Sequence, residues 1–190
     1  MSQISTAVFI KGSTSVRDIF DDGYPHYAFI GRSNVGKSST LNALTNRKSL
    51  AKTSSFPGRT QQINLFLIND SCYFVDLPGY GYARASGAKK KHLGELLALY
   101  LFETTNPLLK KVVVLIDGKT GPSKDDLYMI SLLKEHRRDV IIAINKIDKI
   151  KKSEYIKQIK NIETLVGQAC VHYSAEKKIG LNTLLDAIFE

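Results

Sequence analysis

Eight residues set the ground plan of this chain. Gly31-Arg32-Ser33-Asn34-Val35-Gly36-Lys37-Ser38 matches the spacing G-x-x-x-x-G-K-[ST]. It follows a short apolar run, Tyr27-Ala28-Phe29-Ile30, that reads as a buried strand, and it leads into a helix predicted over residues 37–45. A glycine-containing loop between a strand and a helix suits phosphate. Its glycines let the backbone curl so that successive N–H groups face an anion, and the helix start adds positive charge. Lys37 can reach the outer phosphates, and the Ser38 hydroxyl can ligate Mg²⁺.

The other segments supply the sheet that such a loop needs. Residues 6–10 form a possible edge strand, and a short amphipathic piece follows around Val16, Ile19 and Phe20. Residues 49–62 are rich in Ser, Thr and Gln around Pro57-Gly58 and read as a mobile loop. Two β-rich runs, 63–68 and 72–75, read as a hairpin, which makes one strand antiparallel. After it, residues 80–91 are Gly-, Tyr- and Lys-rich and are expected to be irregular. Helical spacing returns over 93–102, 124–136, 153–166 and in a last helix carrying Leu181, Leu184, Leu185 and Ile188. Between these lie aliphatic strands over 111–116 and 140–144 and a further strand over 169–173. Strands alternating with helices predict an α/β fold in three layers, a mainly parallel sheet covered on both faces. Ligands of such sheets sit on loops at the strand C-termini.

Counting the phosphate loop, four motifs follow strands directly and so fall on those loops. Asp76-Leu77-Pro78-Gly79 ends one strand: Asp76 is placed to hold Mg²⁺ opposite Ser38, and the Gly79 N–H to touch a γ-phosphate. Thr60, in the loop upstream, could add a second hydroxyl to Mg²⁺ when a γ-phosphate is present, which would make that loop a switch. Asn145-Lys146-Ile147-Asp148 ends another strand. A carboxylate at Asp148 suits the N1–H and 2-amino group of guanine, whereas adenine would leave it unpaired. Lys146 can lie along the base, and Asn145 can tie this loop to the phosphate loop. Ser174-Ala175, after Tyr173, can offer a backbone N–H to guanine O6.

Composition narrows the setting. Lys plus Arg number 27 against 18 Asp plus Glu, a formal charge of +9, more than one nucleotide offsets. Nucleic acid is therefore the leading second partner, against the bland alternative of a well-charged surface. Cys72 and Cys170 lie in apolar runs and read as buried small hydrophobes in a reducing compartment, without disulfide or metal. Residues 1–4 lack a signal-peptide pattern, no run is long enough to span a bilayer, and no lipidation signal is present. A soluble, cytoplasmic protein without membrane contact is expected, a single domain over 1–190 in which 1–26 pack as strand and extension.

In this order, G-x-x-x-x-G-K-S, a switch threonine, D-x-P-G, N-K-x-D and S-A resemble the translation-factor-related GTPases. More narrowly, Gly31 to Ser39, Pro57-Gly58-Arg59-Thr60-Gln61-Gln62 and Asp76-Leu77-Pro78-Gly79-Tyr80-Gly81-Tyr82-Ala83 are similar to the EngB (YihA/YsxC) family. The resemblance implies a Ras-like P-loop G domain that binds GTP and GDP with Mg²⁺. It also implies a role in assembling the large ribosomal subunit, linked to normal cell division and septation. It makes residues 31–39, Gly58 to Gln62, Asp76 to Gly79, Asn145, Lys146, Asp148 and Tyr173 to Ala175 the nucleotide contacts, with Lys37, Thr60 and Gly79 serving hydrolysis. The family often has T-K-x-D where this chain has Asn145.

Ras-like enzymes place a water-orienting glutamine just after D-x-x-G, and the matching residue here is Tyr80. Slow intrinsic hydrolysis follows, stimulated by a partner or a monovalent cation, with Asn34 the candidate K⁺ ligand. Arg84, Lys89, Lys90, Lys91 and His92 are candidate contacts to ribosomal RNA in the GTP state, and Lys149, Lys151, Lys152, Lys157 and Lys160 form a second basic group. Two rival readings remain. One is a P-loop kinase, which has no use for N-K-x-D, and the other is a GTP-dependent module recruiting a protein partner in cell division without RNA. A monomer is expected.

Overall fold

The computed structural model describes residues 3–19, 22–51, 62–80, 87–103 and 108–190. Its strands are β1 (Ala7–Ser13), β2 (His26–Gly31), β3 (Ile63–Ile68), β4 (Cys72–Asp76), β5 (Leu109–Asp117), β6 (Val140–Asn145) and β7 (Val171–His172). Its helices are α1 (Lys37–Leu44), α2 (Gly87–Ala98), α3 (Lys124–Glu135), α4 (Tyr155–Val166) and α5 (Leu181–Phe189). One sheet takes all seven strands in the order β1-β3-β4-β2-β5-β6-β7. β3 pairs antiparallel with β1 and β4 and every other pairing is parallel, so β3 is the one strand that runs against the rest.

Both faces of this sheet are covered, which is why β2 and β5 are apolar at consecutive positions rather than at alternate ones. Ala28, Ile30, Val112, Val114 and Ile116 share one core layer with Leu97 of α2, Tyr100 just beyond it, Ile130 and Leu133 of α3 and Ile162 of α4. Phe29, Val113 and Leu115 face the opposite layer, where Leu41 of α1 and Leu184 and Ile188 of α5 close the core. The hairpin turn between β3 and β4 uses positive φ at Asn69 and Asp70, 49° and 48°. Asn69 Oδ1 also accepts from the N–H groups of Ser5 and Thr6 at 2.8 and 3.1 Å, which pins the chain entering β1.

Two elements differ from expectation. The helix predicted over 93–102 begins six residues earlier, at Gly87, inside the stretch expected to be irregular, and it ends in a π turn, Leu99–Glu103. Its opening Gly-Ala-Lys-Lys-Lys-His carries no large apolar residue, so periodicity marks only the part that meets the sheet. The strand predicted over 169–173 shrinks to two residues, Val171–His172, and just beyond it Ser174 pairs in an isolated bridge with Ile179. Cys72 is buried as expected and Cys170 only half-buried; both are free thiols, and burial pushes them up to about 11 and about 12. Among the described residues no helix is long and apolar enough to cross a membrane.

Parallel register brings the motif-bearing ends together. Phe29 of β2 stands opposite Asp76, Gly31 opposite Leu115, and Asp117 opposite Asn145. The C-termini of β2, β4, β5 and β6 therefore share one edge of the sheet.

Candidate nucleotide site at the strand ends

The loop from Gly31 to Ser38 is held by contacts that need its glycines. A Cβ on Gly31 would stand 2.9 Å from the Leu115 carbonyl oxygen. Gly36 adopts φ +100°, and a Cβ there would collide with Asn145 Nδ2. The non-glycine Asn34 also takes a left-handed conformation, φ 65°, as the loop curls. Gly36 is the N-cap of α1 and offers no side chain to the first-turn N–H groups. By contrast, α3 has a complete capping box from Ser123 and Asp126. The start of α1 thus keeps donors for an anion. Val35 and Leu77 are buried in the core, so any ligand contact from them is through backbone.

Lys37 Nζ donates to Asp76 Oδ1, an ion pair buried on both sides. Asn64 Nδ2 reaches Asp76 Oδ2 at 3.4 Å. A buried ammonium and carboxylate facing each other are two halves of a larger site: phosphate oxygens suit the first, and a hard divalent cation suits the second. Ser38 and Asp76 supply the oxygen donors that Mg²⁺ prefers, and Mg²⁺ takes few protein ligands beside phosphate oxygens. The residues therefore fit the ion. Thr60, the third expected metal ligand, lies outside the described residues with Gly58, Arg59 and Gln61. Gln62 is described, exposed, and donates to Asn64 Oδ1 at 2.9 Å.

The second wall comes from β6 and the turn after β7. Asn145 Nδ2 donates to the Val35 carbonyl at 3.0 Å, and its Oδ1 accepts from Lys146 N–H at 2.8 Å and Ala175 N–H at 3.1 Å. One buried amide so ties three loops, and of the Ser174-Ala175 N–H groups expected to serve guanine O6, that of Ala175 is given to Asn145 and that of Ser174 to the Ile179 carbonyl. Lys146, at φ 62°, donates to the Asn34 carbonyl and to Asp117 Oδ2, both at 2.7 Å. Asp148 Oδ1 accepts from the Ser174 hydroxyl at 2.6 Å. Asp148 Oδ2 is buried and accepts no hydrogen bond from the described residues. The Lys149 ammonium stands 3.3 Å from it and forms an ion pair. Burial pushes the Asp148 carboxyl up, but the Ser174 hydroxyl and Lys149 outweigh it and hold the group below the usual aspartate range.

Tyr173, expected among the nucleotide contacts, is fully buried, and its phenol bonds Thr40 Oγ1 of α1 at 2.7 Å. Its side chain supports the phosphate-loop helix from below. Tyr80 donates its hydroxyl to Asp126 Oδ1 at 2.8 Å, which takes that hydroxyl up in a protein contact. Of the first basic group, Arg84 and the side chains of Lys89 and Lys90 lie outside the described residues, and Lys91 and His92 are exposed. In the second group Lys149 pairs with Asp148 and Glu176, while Lys151, Lys152, Lys157 and Lys160 are exposed.

Sequence reasoning passed over Asn64, Asp117 and Asp126. Asp117 had a legible signal, because it ends an aliphatic strand as the recognised motifs do. Asp126 was legible only as the fourth residue of a Ser-x-x-Asp capping box.

Residues 26–146 match the protein family described as "50S ribosome-binding GTPase". Among solved structures, a GDP·AlF₄⁻-bound variant of Era from Aquifex aeolicus superposes with a TM-score of 0.71 at 27% identity, covering 86% of this chain and 55% of that one. A crystal structure of a probable GTP-binding protein EngB has the same TM-score at 23% identity, with 86% and 96% covered, and speaks to the fold alone. Fold and site together are those of a P-loop GTPase. The probable GTP-binding protein EngB of Acholeplasma laidlawii is 41% identical over 98% of this chain and 97% of its own length. The corresponding protein of Clostridium beijerinckii is 42% identical over 98% and 96%. The chain belongs to the EngB family of GTP-binding proteins.

Proposed function

We propose that the chain, as one G domain over residues 1–190, is a Mg²⁺-dependent guanine-nucleotide switch that acts in the cytoplasm during assembly of the large ribosomal subunit, with a consequence for cell division. The observation that carries guanine recognition is Asp148. One carboxylate oxygen is fixed by Ser174, and the other is buried and faces the Lys149 ammonium at 3.3 Å. Guanine brings two donors to such an oxygen pair, and adenine brings an acceptor at N1 instead. Lys37 would turn from Asp76 to the β- and γ-phosphates, and Ser38, Asp76 and Thr60 would hold a Mg²⁺ ion, whose charge would offset that of the phosphates. Gly79 offers its N–H to the γ-phosphate. Hydrolysis is slow without a partner, since the Tyr80 hydroxyl is engaged by Asp126. Asn34 is the candidate ligand for an activating K⁺.

The ribosomal part of the reading is supported by the description of the matched family and by the excess of 27 basic over 18 acidic residues. Co-sedimentation with large-subunit precursors in a nonhydrolysable GTP analogue, in GDP, and without nucleotide tests it. Pelleting that depends on the GTP analogue is expected. Equal pelleting in all three, or none, overturns the reading in favour of a module that recruits a protein partner.

A further inference from the structure

We propose that Asp126 is a positioning residue for GTP: its carboxylate locks Tyr80 against the phosphate loop and so presets the Gly79 N–H for the γ-phosphate. The inference rests on the guanine-nucleotide reading above and deepens it.

Asp126 lies on the first turn of α3 and is almost fully buried. Its Oδ1 accepts from the Tyr80 hydroxyl at 2.8 Å. Its Oδ2 accepts from the Ser123 N–H and the Ser123 hydroxyl, both at 2.7 Å, and faces Arg32 Nε at 3.2 Å. Arg32 also reaches Thr120 Oγ1 at 3.4 Å, which adds a second anchor on the segment leading to α3. The backbones of Arg32 and Tyr80 pair in a parallel bridge. Arg32 is the first residue after Gly31, and Tyr80 the first after Gly79. A single carboxylate therefore joins the phosphate loop, the loop after Asp76 and α3.

The consequence is selective. A donor that is already in place loses no freedom when its acceptor arrives. The Gly79 N–H, fixed through its neighbour Tyr80, is such a donor for a γ-phosphate. GDP has none, so GDP gains nothing from the lock. A capping box alone would be served by any Ser-x-x-Asp pair and would not need Arg32 and Tyr80 on the same carboxylate.

The test uses the full chain and measures affinities for GDP and for a nonhydrolysable GTP analogue by titration calorimetry, on the unaltered protein, Tyr80→Phe and Asp126→Asn. Tyr80→Phe removes one hydroxyl and keeps the ring, and it leaves Asp126 its Ser123 and Arg32 partners, so it is the milder change should Asp126→Asn fail to fold. Loss of one hydrogen bond to a charged group predicts an analogue affinity about tenfold weaker, with GDP affinity within about twofold. A purely structural role would lower melting temperature and both affinities together and leave their ratio unmoved, which overturns the proposal. A ratio shifted toward the GTP analogue overturns it too. If the unaltered protein binds neither nucleotide, the guanine reading itself falls, and the two failures are told apart.

Discussion

The two oxygens of Asp148 have unlike partners: Ser174 donates to one at 2.6 Å, and the other accepts no hydrogen bond from the described residues. The Lys149 ammonium, 3.3 Å away, offsets the charge of that second oxygen and leaves it room for a ligand's donors. Asp148→Ala is expected to weaken GDP binding by on the order of 100-fold or more, as two charge-assisted hydrogen bonds are lost; titration calorimetry reads it, and an effect under about threefold would refute the assignment. The carboxyl is held below its ordinary range, so its folded-state pKa lies under the unfolded one. Its contribution to stability is then complete above about pH 4, the ordinary aspartate value, and is lost as pH falls through the lower native value. GDP affinity measured from about pH 7 down to about pH 5 should accordingly show no loss traceable to this group.

At the scale of elements, α1 is a helix of eight residues without a side-chain N-cap, and its position is fixed by what lies beneath it. Thr40 Oγ1 donates back to the Gly36 carbonyl at 2.9 Å and shares a hydrogen bond with the Tyr173 phenol. The residue that follows β7 thus braces the helix that presents Lys37 and Ser38. Tyr173→Phe removes that bond and keeps the ring in the core, and Thr40 keeps the Gly36 carbonyl as a partner. Urea denaturation should show a loss of about 1 kcal/mol; no change would mean the phenol carries no part of the brace. Packing also explains the early start of α2. Periodicity records where a helix meets the sheet, and the Lys-rich turns from Gly87 do not meet it through large apolar residues.

For the whole molecule the governing quantity is the formal charge of +9. Local pairing reduces what a partner can use: Lys149 is taken up by Asp148 and Glu176. On the ribosomal reading, association with precursor particles weakens steeply with salt. Charge reversal at Lys90 and Lys91 lowers both the affinity and the slope of log K against log salt, by on the order of one for each phosphate no longer neutralised. Sedimentation across a salt series checks this, and a flat dependence would remove RNA phosphate as the partner. The alternation of elements, the phosphate loop, Asp76 and Asn145 to Asp148 were legible in the sequence, whereas Ser174 was legible only as a backbone donor and not as the hydroxyl that reaches Asp148. Each depends on residues close together in the chain, a strand running into its own loop, so local pattern records it. The joining of Tyr80 to Asp126, 46 residues on, and of Thr40 to Tyr173, 133 residues on, was decided only by the tertiary structure. Those bonds exist because parallel strands deliver distant loops to one edge of the sheet, and no periodicity along the chain encodes which side chains then meet.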